Sequence, residues 1–84
     1  MKIGNYNNLK NVSGAKIKEL RQKQNMSQQQ LAEKLQLNGI SLTAKEISKI
    51  ELGNRLIQDF ELFAFADALN VTTDTFKNSA KTIL

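Results

Sequence analysis

Residues 27–55 read SQQQLAEKLQLNGISLTAKEISKIELGNR and contain the signals for two successive helices. Ser27 with Gln30, and Thr43 with Glu46, have the spacing of a capping box. In that motif the two side chains satisfy backbone N–H groups that the start of a helix leaves without partners. The stretch therefore predicts two helices, at residues 28–37 and 44–52.

The same signals continue outward in both directions. At five places an apolar residue directly precedes a capping position, and a second apolar residue stands five positions after the first one. This is the spacing of a hydrophobic staple. The capping positions are Ser13, Ser27, Thr43, Gln58 and Thr72, with Asp59 as an alternative to Gln58. Four residues that tolerate a left-handed backbone mark the helix ends: Asn25, Gly39, Gly53 and Asn70.

These signals predict an all-α fold of five helices, at residues 14–25, 28–37, 44–52, 59–69 and 73–79. Residues 1–12 are predicted to form a mobile N-terminal arm, residues 13–79 one domain, and residues 80–84 a frayed tail. Apolar residues at helical spacing supply the predicted core, and every Phe is expected to lie in it. This core comprises Ile17, Leu20, Leu31, Leu35, Ile47, Ile50, Leu62, Phe63, Phe65, Ala66, Leu69, Val71 and Phe76.

Composition limits the chemistry. The 84 residues include no Cys and no His, which excludes disulfides, Cys/His metal sites, a thiol nucleophile and an imidazole base. We expect no cofactor and no metal. No apolar run approaches the roughly 20 residues that span a bilayer, and the start lacks an apolar signal core, so the expected compartment is the cytoplasm.

The net charge is +4, and the charged residues are distributed unevenly along the chain. Residues 1–58 carry ten basic and four acidic side chains, whereas residues 59–84 carry two basic and four acidic ones. A polyanionic partner would therefore bind the first two thirds of the chain, although a basic surface that serves only solubility has the same net charge.

The predicted third helix has two different faces. At about 100° per residue, Ala44, Lys45, Ser48 and Lys49 share one side, opposite the predicted core residues. This side is small and cationic, which suits a major groove about 12 Å wide, where Lys donates to guanine O6 and N7. For the third helix taken alone, a simple solvated face is the preferred interpretation. The start of the second helix, at Gln28, is a candidate phosphate contact through its unpaired N–H groups.

Three segments together resemble the helix-turn-helix domain of the phage Cro and C1 repressor family, also called the XRE family. They are SQQQLA at 27–32, ISKIELGNR at 47–55 and FADALNV at 65–71. The resemblance runs from about Gly14 to Phe76. It implies a five-helix, lambda-repressor-like DNA-binding domain in which the second and third helices form the helix-turn-helix and the third reads DNA.

The resemblance also implies roles for individual residues. The base-reading positions of the family fall on Thr43, Ala44, Lys45 and Lys49, and Ser48 shares their face. Its phosphate-contacting positions fall on Gln28, Asn54 and Arg55, with Lys16 as a further candidate. A buried ion pair of the family maps to Arg21 and Glu51.

Two features depart from the family pattern. The connection from Leu37 to Leu42 is about five residues longer than usual, with Ile40 expected to turn inward. Ala44 and Leu52 replace polar residues that are common at their positions, although Ala44 can contact a thymine methyl group.

The resulting hypothesis is a sequence-specific regulator that binds double-stranded DNA, with repression as its expected activity. The resemblance also implies a homodimer on DNA, since operators of the family are commonly palindromic. The alternative is a protein-interaction module on the same fold, such as an antitoxin or anti-repressor, with an apolar surface around Leu52, Leu56 and Ile57. An enzyme ranks third and is not expected, because caps, helix dipoles and solvated faces already explain each pair of acidic residues.

Overall fold

The computed structural model describes residues 8–77. The chain forms four complete helices, and residues 74–77 begin a fifth, α5, whose end lies outside the described residues. The four are α1 (Gly14–Lys23), α2 (Gln28–Leu37), α3 (Ala44–Glu51) and α4 (Asp59–Ala68). The predicted all-α fold and its order of five helices are confirmed, with the four complete helices beginning and ending within two residues of prediction.

Both predicted capping boxes are present. The Ser27 hydroxyl accepts from the N–H of Gln30 at 3.0 Å, and the Gln30 side chain accepts from the N–H of Ser27 at 2.8 Å. Thr43 and Glu46 make the corresponding pair of bonds, at 3.1 and 3.0 Å. Local sequence alone therefore sets the starts of α2 and α3.

The start of α1 differs from prediction. Ser13 precedes the helix, but within the part of the chain that the structure describes its side chain accepts no capping hydrogen bond. Instead, the Asn11 Oδ1 accepts from the N–H of Ser13 at 3.1 Å and of Gly14 at 2.7 Å. At α4 the cap is Gln58, whose N–H donates to Glu61 Oε1 at 3.0 Å, while Asp59 is the first helical residue.

All four complete helices end in the same way. The residue after each cap has a left-handed backbone, and two hydrogen bonds return to the last turn, which is the Schellman motif. After α3, for example, the N–H of Asn54 donates to Lys49 O at 2.8 Å and that of Gly53 to Ile50 O at 2.9 Å. The predicted left-handed positions are confirmed, with the φ values Asn25 57°, Gly39 84°, Gly53 79° and Asn70 57°.

The core lies between the helices and contains most of the predicted set. Phe65 and Phe76 are buried, but Phe60 and Phe63 are 52% and 56% exposed, so the expectation that every Phe is a core residue is wrong. Seven of the ten residues of α4 are apolar and lie on all sides of the helix, so its periodicity cannot indicate which side faces inward. The connection between α2 and α3 follows prediction, since Leu42 is buried and Ile40 packs partly against the core.

Residues 8–12 of the predicted arm are joined to the domain by hydrogen bonds. The N–H of Lys10 donates to Gly53 O at 2.8 Å. The Asn11 Nδ2 donates to Ile50 O at 3.0 Å and to Arg55 O at 2.8 Å. The remaining predicted arm, residues 1–7, lies outside the described residues, as do residues 78–84 with the predicted end of the fifth helix and the tail.

Candidate nucleic-acid interface

The outer side of α3 carries the residues predicted to read bases. Lys45 and Lys49 are exposed, whereas Ile47 and Ile50 on the opposite side are completely buried. Three further predicted residues share the accessible side: the exposed Thr43 and the half-buried Ala44 and Ser48. With eight residues, α3 is about 12 Å long. It is therefore a short rod with a cationic outer side and an apolar inner side.

A buried ion pair holds the end of α3 against α1. Arg21 Nε donates to Glu51 Oε2 at 2.7 Å, and Arg21 Nη2 donates to Glu51 Oε1 at 3.1 Å. A third guanidinium bond, from Nη1, reaches Met26 O at 2.7 Å. The hydrogen bonds to Glu51 raise the pKa of Arg21 above its ordinary value. Because only 2% of the Glu51 side chain is exposed, the carboxylate depends on these protein partners and not on water.

Gln28 joins this ion pair. Its Nε2 donates to Glu51 Oε1 at 3.0 Å, so the start of α2, the end of α3 and α1 meet at one carboxylate. The family resemblance mapped Gln28 to a phosphate contact and did not indicate this bond. Two kinds of donor therefore remain for a phosphate here, the second amide hydrogen of Gln28 and the backbone N–H groups of the first turn of α2.

Arg55 forms a second ion pair that sequence reasoning missed. Its Nη1 and Nη2 each donate to one oxygen of Glu61 at 3.0 Å, and Nη1 also donates to Leu56 O at 2.9 Å. Glu61 is buried, although it is one of the four acidic residues of the net-negative segment 59–84. The available signal was the three-residue spacing from Gln58 to Glu61, which is that of a capping box. The charge of Arg55 is thus already balanced within the protein.

The other two candidate phosphate residues lie at the surface. Lys16 Nζ is 3.2 Å from Glu19 Oε2, in a partly exposed pair of the kind that contributes little to stability. Asn54 is exposed, and its backbone N–H closes the Schellman motif of α3. The structure therefore brings Asn54 and Arg55 together directly after α3, and places Lys16 on α1.

Glu61 makes the stability of the fold depend on pH in the acidic range. The hydrogen bonds from Arg55 hold the pKa of Glu61 below its ordinary value, against the opposite effect of burial, and the N–H of Gln58 lowers it further. The unfolded chain has a Glu pKa of about 4.3, so the ionised carboxylate stabilises the fold above about pH 4.3. We expect this contribution to be lost as pH falls through the lower folded pKa.

Urea unfolding of the wild type and of Glu61→Gln between pH 7 and pH 2.5 measures this effect. The wild type should be more stable than the variant at neutral pH, and the difference should shrink on acidification, because protonated Glu61 resembles glutamine. A difference that stays constant over this range would contradict the assignment.

A family model described as Helix-turn-helix (HTH_3) matches residues 17–76, which include α2, α3 and the connection between them. No curated protein and no solved structure matches the chain. In residues 8–77, none of the helices is long and apolar enough to cross a membrane.

Proposed function

Because the chain belongs to the Cro/C1-type (XRE) helix-turn-helix family of DNA-binding regulators, we propose that it is a sequence-specific repressor that inserts α3 into the major groove. The observation that carries this proposal is the two-sided character of α3. Lys45 and Lys49 are exposed on one side, while Ile47 and Ile50 anchor the other. The family is one of regulators and not typically of enzymes.

Base reading is assigned to the accessible side of α3. Lys45 and Lys49 donate to guanine O6 and N7, and Ala44 contacts a thymine methyl group. Ser48 supplies a hydroxyl group that can bond to either kind of base pair. The Thr43 hydroxyl is bonded to Glu46, so Thr43 contributes its methyl group, which can contact a thymine methyl group. The small side chains at positions 44 and 48 let the helix approach the base edges closely.

Phosphate contacts are assigned to both ends of the helix-turn-helix. Gln28 and the first turn of α2 hold one phosphate, and Asn54 with Arg55 holds another, with Lys16 as a further contact. Since Glu61 balances the charge of Arg55, we expect Arg55 to act as a hydrogen-bond donor and to contribute little to the salt dependence of binding.

Selection of bound sites from random duplexes, followed by titrations on the selected site and on scrambled DNA, tests the proposal. Affinity should fall steeply with salt, with a log–log slope of about −0.9 for each phosphate neutralised. Lys49→Ala should reduce discrimination at one base pair by about 1–3 kcal/mol, while Asn54→Ala weakens both duplexes alike. An affinity that does not change with salt, or identical behaviour of the two variants, would contradict the assignments.

Asn54→Ala is a better phosphate variant than Arg55→Ala. Removing the Arg55 guanidinium leaves the buried Glu61 carboxylate without its main partner, so a loss of binding would be mixed with a loss of stability. The exposed side chain of Asn54 carries no such complication.

A protein-interaction module is the second candidate function. It is favoured by four exposed apolar side chains between the end of α3 and the middle of α4: Leu52, Leu56, Phe60 and Phe63, each more than half exposed. Such a surface suits either a second copy on a palindromic operator or a different protein.

Sedimentation velocity with and without the selected duplex distinguishes these partners. A dimer that forms on DNA and is lost in Phe60→Ser/Phe63→Ser supports the second copy. A stable one-to-one complex with another protein of the native cell, without DNA retention, supports the antitoxin or anti-repressor alternative.

A further inference from the structure

Residues 9–11 lie directly against the loop that follows α3. Lys10 is joined to this loop by its backbone, through the 2.8 Å hydrogen bond from its N–H to Gly53 O. Leu9 packs so closely on Gly53 that a Cβ at that glycine would be 2.5 Å from Leu9 Cδ2. Asn11 reaches past the same loop to the carbonyls of Ile50 and Arg55. Three consecutive residues of the segment therefore contact the loop after α3.

The side chains of this segment differ in exposure. Leu9 and Asn11 are half-buried and make the contacts just described, whereas Lys10 between them is exposed. No carboxylate within residues 8–77 forms an ion pair with Lys10. The segment thus carries an unbalanced positive charge beside Gly53.

The loop after α3 is otherwise poor in net positive charge. Glu61 neutralises Arg55, and Asn54 is uncharged. The end of α3 also has the partial negative charge of a helix C-terminus, which disfavours an approaching phosphate. A cation from elsewhere in the chain would therefore strengthen the phosphate contact that is assigned to Asn54 and Arg55 at this loop.

We propose that Lys10 is that cation and that it contacts the DNA backbone together with Asn54. The attachment of the Lys10 backbone to Gly53 places this residue at the end of α3. The inference rests on the proposed DNA-binding function and adds a residue to it. A lysine suits the position because its ammonium group ends a flexible stem and can follow a phosphate without a fixed geometry.

The salt dependence of binding to duplex DNA tests the proposal, with Lys10→Gln as the variant and Lys77→Gln on α5 as the matched control. Loss of one phosphate contact should make the log–log slope shallower by about 0.9, on selected and scrambled duplexes alike. If the two proteins bind equally at 1 M salt, the same relation gives an affinity loss of about eightfold at 0.1 M and about fourfold at 0.2 M. Lys10→Arg should retain the wild-type slope.

Thermal unfolding of Lys10→Gln should match that of the wild type, since the bond to Gly53 comes from the backbone. If the wild type binds DNA but Lys10→Gln keeps its slope, the role of Lys10 is wrong and the proposed function stands. An equal change in Lys77→Gln would also overturn it, because total charge would then explain both losses. If the wild type binds no duplex, the proposed function itself fails.

Discussion

Replacing Glu51 by alanine is expected to lower the free energy of unfolding by about 3–5 kcal/mol, because the Arg21 guanidinium would lose its charge partner inside the protein. The Gln28 amide would lose its acceptor at the same time. Domains are stable by only roughly 0.05–0.15 kcal/mol per residue, so the loss is a large part of the total. Urea unfolding followed by circular dichroism measures it.

The double variant Arg21→Leu/Glu51→Leu is the control for this experiment. Removing both charges leaves no stranded ion, and apolar replacements of buried ion pairs are often neutral or stabilising. We therefore expect the double variant to be more stable than Glu51→Ala, even if the single variant does not fold. A single variant within 1 kcal/mol of the wild type, or a double variant less stable than the single one, would contradict a buried ion pair.

Gly14→Ala is expected to destabilise the domain despite the higher helix propensity of alanine. A Cβ at Gly14 would overlap Ile50 O and would lie 2.9 Å from Asn11 Oδ1. The first of these is a backbone atom at the end of α3, so the start of α1 must move away from the end of α3. We expect a loss near the upper end of the about 1–3 kcal/mol that overpacking costs, measured by the urea midpoint.

Gly39→Ala is the matched control for Gly14→Ala. Apart from its two neighbours in the chain, no described residue has an atom within 4 Å of a Cβ at Gly39. The cost of the substitution therefore comes from the left-handed backbone, with φ +84°, and should be about 1–2 kcal/mol. Gly14→Ala should be the more harmful of the two and should also weaken DNA binding. If it were neutral or stabilising, the close approach of α1 to the end of α3 would be wrong.

The helices were largely predictable because their signals are local. Ser27 with Gln30 and Thr43 with Glu46 bond to each other across a single turn, so each box works wherever the chain lies. The helix ends are equally local, since Asn25 and Gly53 need only their own left-handed backbones. The strong periodicity of α3 likewise predicted which side is buried.

The candidate interface was predictable only in part. The accessible face of α3 follows from periodicity, and the positions of Gln28, Asn54 and Arg55 follow from family resemblance. Their roles on DNA remain predictions. Neither route indicated that Arg55 pairs with Glu61, because the two residues are on different elements and meet only through the path of the loop between them.

Local sequence was therefore sufficient for the order and limits of the helices and for the cationic side of α3, since backbone capping and helical periodicity act over a few residues. Packing decided the rest: the exposure of Phe60 and Phe63, the attachment of Lys10 to Gly53, and the close contact at Gly14. These features join residues far apart in the chain. Only the folded arrangement of the helices sets the distances between such residues.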